Sequence, residues 1–116
     1  MPLEKFIRTK QNYEPAITIR KNGTIAINRW AVENFPFNDK PYVTLYFDKK
    51  EMIVGIKPTD DATEGSVFKI SREKGKTPNI SCQAFLNSIG IQYRDGSWLY
   101  VVTWDEKREM MLVKVS

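Results

Sequence analysis

The chain has 116 residues, 41% of them apolar, and a formal net charge of +4, which is apolar material enough for one core without covalent staples. It contains no histidine and a single cysteine, Cys82. An intramolecular disulfide and a Cys–His nucleophile are therefore excluded and the commonest transition-metal ligand is missing, so the reading is a non-enzymatic protein with no cofactor and no metal. No apolar run approaches the ~18 residues of a membrane-spanning helix, and Met1-Pro2-Leu3-Glu4-Lys5 lacks the apolar core of a secretory signal. These features predict a cytoplasmic protein with no membrane partner.

The charge is unevenly placed. Residues 1–58 hold ten Lys/Arg against six Asp/Glu, whereas residues 59–116 hold eight against eight. An excess confined to the first half suits a surface facing a polyanion, and it equally suits a solubilising rim.

Residues 1–15 read as an N-terminal arm carrying Lys5, Arg8 and Lys10, with Phe6 and Ile7 available for burial. Ala16-Ile17-Thr18-Ile19-Arg20 and Thr24-Ile25-Ala26-Ile27 both alternate apolar and polar residues around Lys21-Asn22-Gly23, which predicts a hairpin. A two-residue loop would send Ile17 and Ile19 to the face opposite Ile25 and Ile27. A three-residue loop with Gly23 in the left-handed conformation pairs Ile19 with Ile25 and Ile17 with Ile27, and is the expected arrangement. Asn28 caps a short helix bearing Ala31, Val32 and Phe35, and Pro36 ends it. Tyr42–Phe47 then forms a strand with Val43, Leu45 and Phe47 on one face. After the turn Asp48-Lys49-Lys50-Glu51, a partner strand aims Met52, Val54 and Ile56 the same way.

Beyond an acidic, solvated linker over 58–66, the order of elements recurs. Phe68 and Ile70 begin a strand, a basic loop runs from Arg72 to Lys76, and Ile80 precedes Ser81, the expected cap of a helix from Cys82 to Ile89 that Gly90 stops. Trp98–Trp104 and Met110–Val115 complete a last hairpin. With Phe47 matched to Trp104 and Met52 to Met111, the two halves agree in parity if the second turn is two residues longer. Tyr100, Val102 and Trp104 then face inward with Met111, Val113 and Val115.

The expected fold is mainly β with two short helices: a pseudo-two-fold barrel built from two strand-helix-hairpin repeats, residues 16–57 and 67–115, in a single domain over 16–115. Neither repeat could close a core alone, because a hairpin pair with one short helix leaves an apolar face and open sheet edges in water.

Few residues point to chemistry. Asp60, Asp61 and Glu64 lack the alternating spacing of a calcium loop, and Gly75 and Gly90 are isolated rather than part of a phosphate-cradling loop. Cys82 falls in a first helical turn, where the macrodipole can lower a thiol pKa, but with no histidine beside it the residue reads as a packed or idle thiol. Arg20, Lys21 and Arg29, joined by Arg8 and Lys10 of the arm, form the candidate footprint on a nucleic-acid backbone, against which stands a solvated basic rim. Tyr42, Thr44 and Tyr46 point away from the core. Tyr42, Tyr46 and Trp30 are candidates for a partner or subunit interface, and exposed tyrosines beside lysines can also stack bases.

The segment Gly23-Thr24-Ile25-Ala26-Ile27-Asn28, the apolar helix face after it, and Tyr42–Ile56 with its Asp48-centred turn resemble the AbrB/SpoVT swapped-hairpin domain. Two such copies in one chain are similar to the tandem arrangement of MraZ-type regulators. The resemblance implies an interlocked barrel, self-association, and contact with double-stranded DNA through basic residues of the first strand, the glycine turn and the helix. The chain departs from the family pattern at Thr24, where arginine is usual, at Asn28, where proline is usual, and at Val32 and Glu33, where the helix commonly carries arginines. Arg20, Lys21 and Arg29 are what remains of that basic set. A protein-interaction or structural module that keeps the barrel without binding DNA is the alternative expectation.

Overall fold

The computed structural model describes residues 14–115 apart from 38, 39, 62–64, 74 and 76. Lys5, Phe6, Ile7, Arg8, Lys10 and Glu64 lie outside the described residues. The strands are β1 (Ala16–Ile19), β2 (Thr24–Ile27), β3 (Tyr42–Asp48), β4 (Ile53–Thr59), β5 (Val67–Ser71), β6 (Asn79–Ser81), β7 (Trp98–Asp105) and β8 (Met110–Lys114). Between them lie the helices α1 (Arg29–Asn34) and α2 (Gln83–Ile89). The chain is thus mainly β with two short helices, as the sequence predicts.

All neighbouring strands run antiparallel, and they close into a barrel in the order β1-β2-β6-β5-β3-β4-β8-β7. The hairpin β1–β2 is flanked by β7 and β6, and the hairpin β3–β4 by β5 and β8. Strands β1–β4 therefore share no ladder beyond their own two hairpins, and every remaining edge is filled from β5–β8. The order also reads the same when β1–β4 and β5–β8 exchange places.

Strand alternation fills the interior. Ile17 faces Ile27, Ile19 faces Ile25, and Ile25 in turn faces Ile80 across the next ladder. On the far side Val54 faces Val113 and Ile56 faces Met111. All of these side chains are almost fully shielded from solvent, and each isoleucine so buried contributes about 1.5–3 kcal/mol relative to exposure. Ala31 of α1 and Leu86 of α2 are sealed into the same core. Pro58 lies within β4 opposite Val43. It is beyond the β4–β8 ladder, which ends at Ile56, so its missing N–H costs no hydrogen bond there.

The first hairpin has the expected loop. Arg20 N donates to Thr24 O at 2.9 Å and Gly23 N to Arg20 O at 3.0 Å, with Gly23 at φ +87. Asn28 caps α1 and also ties it to β1: its Oδ1 accepts from Ala31 N at 2.9 Å and Ala16 N at 3.1 Å, and its Nδ2 donates to Glu14 O at 2.9 Å. Gly90 ends α2 in the left-handed region at φ +77.

Two expectations are corrected. The β7–β8 turn has no extra residues: Phe47 faces Val54 and Asp48 faces Ile53, just as Trp104 faces Met111 and Asp105 faces Met110. Both turns are held by one aspartate. Asp48 Oδ1 accepts from Lys50 N and Glu51 N at 3.0 and 3.1 Å, and Asp105 Oδ1 from Lys107 N and Arg108 N at 3.0 and 3.2 Å. Met52 and Glu109 occupy matching left-handed positions at φ 56 and 55. The counterpart of Met52 is therefore Glu109, and Met111 corresponds to Val54. Ser81, expected as a helix cap, instead continues β6 opposite Thr24. That pairing delays the helix by one residue, so Cys82 takes the cap position without a side-chain cap bond.

Two substitutions probe this framework. A Cβ at Gly23 would lie 2.8 Å from Gln83 Cβ and 3.2 Å from its Cα, whereas one at Gly75, also left-handed at φ +81, would meet nothing within 4 Å. Gly75→Ala should cost about 1–2 kcal/mol of conformational strain, and Gly23→Ala a further 1–3 kcal/mol or so for the clash. Urea midpoints check the pair, and equal losses would show that the helix gives way freely. Asn28→Ala should cost about 2 kcal/mol, because it removes a cap and strands the Ala16 N–H. A thermal midpoint unchanged from wild type would contradict that assignment.

Candidate nucleic-acid interface

The β1–β2 turn is the best-formed basic feature. Asn22 Oδ1 accepts from Thr24 N at 3.2 Å and Thr24 Oγ1 at 2.8 Å, which fixes the turn from inside. Gly23 O accepts from Cys82 N at 3.0 Å, so the turn is also anchored to the start of α2. On this rigid base Lys21 is exposed and Arg20 half-exposed. Among the described residues neither side chain makes an ion pair.

Arg29 stands elsewhere. It follows the opposite end of β2, where Ile27 N donates to Pro78 O at 2.9 Å. Arg29 is five positions along the chain from Thr24, a span of about 16 Å at ~3.3 Å per extended residue. Arg29 Nε pairs with Glu33 Oε1 at 2.9 Å, and its guanidinium lies 5.2 Å from the centre of the Trp30 ring. With 74% and 48% of the two side chains exposed, this pair adds little stability. It does set a carboxylate against the charge Arg29 offers to a polyanion. The structure therefore does not gather Arg20, Lys21 and Arg29 into one patch, and Arg8 and Lys10 lie outside the described residues.

Tyr42 and Tyr46 do share the outer face of β3, Tyr46 being 45% exposed and Tyr42 half-buried. Trp30 sits apart from them on α1, half-buried beneath Arg29. Sequence reading missed the neighbours of the tyrosines: Lys69 on β5 faces Tyr42, and Lys57 on β4 faces Thr44. It also missed Leu99 and Val101 on the outer face of β7, 68% and 57% exposed. The available signal was parity, because both lie out of phase with Tyr100 and Val102.

Cys82 is 1% exposed. Burial pushes its thiol up to about 12, against a smaller lowering from a hydrogen bond with the Ile25 backbone. The packed thiol is what the structure contains, and activation by the helix is absent. Among the described residues no group of three or more His, Cys, Asp or Glu could hold a metal ion, and no helix is long and apolar enough to cross a membrane. An open cleft of about 550 Å³ brings Lys57 and Thr59 of β4 together with Asp60, Trp104, Glu106 and Glu109. Its charges are of mixed sign.

Comparison of the chain with protein-family models, curated proteins and solved structures finds no match.

The buried thiol generates a pH prediction. Because its folded pKa lies above the ordinary 9.0, the unfolded chain ionises first, and the stability the neutral thiol supports is whole below pH ~9 and lost as pH rises towards 12. Wild-type stability should fall more steeply above pH 9 than that of Cys82→Ala. Parallel curves from denaturant melts across that range would refute the assignment.

Proposed function

We propose that this chain is a non-enzymatic, transcription-regulator-like module that binds double-stranded DNA, with Arg20 and Lys21 as its principal phosphate contacts. The observation that carries the reading is the pinned β1–β2 turn, which presents two cations that have no ion-pair partner among the described residues. Pre-organised cations lose little conformational entropy when they displace counterions from a duplex. Arg29, sharing its charge with Glu33, is a secondary contact.

The architecture that fits this role is a swapped-hairpin barrel of two strand-helix-hairpin repeats, related by an approximate half-turn and similar to the AbrB/SpoVT and MraZ-type arrangement. The strand order that survives exchange of the halves and the two aspartate-held turns of equal length support it. A second reading, a protein-interaction module, is favoured by one specific observation, the exposed Leu99 and Val101 on a regular strand.

Binding of a labelled duplex, followed by anisotropy across a salt series, tests the first reading. Each phosphate contact adds about 0.9 to the slope of log K against log salt. The double variant Arg20→Ala/Lys21→Ala should therefore flatten that slope by nearly two, and Arg29→Ala by less. Undetectable binding at low salt, or a slope the double variant leaves alone, would remove duplex DNA as the ligand.

A further inference from the structure

We infer that the outer face of β5–β3–β4 is a second and separate nucleic-acid site, a stacking platform for single-stranded RNA. In the ring of eight strands β3 lies opposite β1, so this face looks away from the β1–β2 turn and does not depend on the duplex reading.

Register builds the platform. Tyr42, Thr44 and Tyr46 leave the same side of β3, and that side is the outer one because Val43 is fully buried between them. Lys69 stands beside Tyr42 on one flank. On the other, Thr59 stands beside Tyr42, Lys57 beside Thr44 and Gly55 beside Tyr46. Side chains directly opposite on neighbouring antiparallel strands have Cβ atoms about 5 Å apart, which sets Lys69 against Tyr42, and Lys57, opposite Thr44, lies diagonal to both tyrosines at about 7–8 Å, still within reach of a long side chain. Tyr42 and Tyr46 are four residues apart, about 13 Å along the strand, room for two splayed bases with Thr44 between them. The outward positions of the three strands over 42–46, 55–59 and 67–71 hold no carboxylate. Asp48 lies past the end of this stretch, and Glu106 and Glu109 line the cleft with Lys57.

Two aromatic rings flanked by lysines form the combination that binds unpaired bases and their backbone: every base has a face to stack, and the lysines meet phosphates. A duplex buries its bases and offers these tyrosines nothing to stack on. Thr59 directs the choice of strand: its Oγ1 accepts from Asp61 N at 3.1 Å and still has its hydroxyl proton to donate. A 2′-hydroxyl both donates and accepts, and it is what distinguishes RNA from DNA at such a surface.

The corresponding face of the other half lacks this chemistry. In the equivalent ring positions Leu99, Val101 and Thr103 replace the two tyrosines and Thr44, and Thr18 faces Leu99 where Lys69 faces Tyr42. The same framework thus carries two outward tyrosines with two lysines once, and once an aliphatic face that keeps a single lysine, Lys114, in the place of Lys57. A merely solubilising surface gives no reason for that divergence.

The test uses the full chain and a fluorescein-labelled, unstructured 12-nucleotide RNA, with the same sequence as single-stranded DNA and as duplex DNA. Tyr46→Ala should weaken RNA binding about 5- to 100-fold, as removal of a stacked base contact does, while Tyr46→Phe stays near wild type. Lys57→Ala/Lys69→Ala should weaken RNA binding and flatten its salt dependence, and Arg20→Ala/Lys21→Ala should leave it unchanged. Thermal melts of each variant establish that the barrel is intact. Absence of RNA binding at low salt, indifference to Tyr46→Ala, or equal affinity for the single-stranded DNA would overturn the inference. Each of these outcomes is independent of duplex binding.

Discussion

Closure of the backbone hydrogen-bond ring is the constraint on which everything else rests. The first four strands make two hairpins that cannot pair with one another, and each presents two bare edges. Unpaired strand edges in water are sticky and poorly stabilised, and an isolated hairpin is marginal. Only when the last four strands enter the gaps does every ladder find a neighbour, and the isoleucines of both halves then meet in one interior. The two halves therefore fold together, because the same event that completes the ring also dries the core.

Once the ring is fixed, side chains divide by parity alone. A strand residue faces the interior or the solvent according to its place in the alternation, so register decides which residues can ever meet a partner. The aspartates at positions 48 and 105 matter for this reason. By gathering two backbone N–H groups each they set the length of their turns, and turn length sets the phase of the strands they join. The pinned glycine turn does the same for the first hairpin and, through its contact with the second helix, fastens one half to the other.

Much of this was legible in the residues. Alternating isoleucines around Gly23 gave the first register, Asn28 marked a helix start, and Gly90 marked a helix end. The misreadings have physical causes. Met111 shares its type and parity with Met52, so a second turn two residues longer leaves every face unchanged, and alternation alone does not separate that length from the equal turns the structure has. Ser81 is a good helix cap by type, but its backbone is committed to a ladder with Thr24 that only the assembled barrel supplies. At the candidate site, Arg20 and Lys21 were readable from the turn. The Arg29–Glu33 pair was implicit in their four-residue spacing, and Lys57 in the parity of the predicted β3–β4 hairpin, whereas Lys69 comes from β5, whose pairing with β3 no local pattern announces. Along Trp98–Trp104 nearly every residue is apolar, which conceals that Leu99 and Val101 face outward.

The contrast between the tyrosine-bearing and leucine-bearing faces gives the molecule a direction. Its strand order is unaltered when the halves trade places, but its exterior is not, so the chain behaves like an arrow wrapped around a symmetrical spindle. A ligand with its own two-fold axis, such as a palindrome, meets a different exterior after each half rotation. One chain can therefore sit on it in two equivalent placements, each reading one arm, and reading both arms alike takes a second molecule pointing the other way.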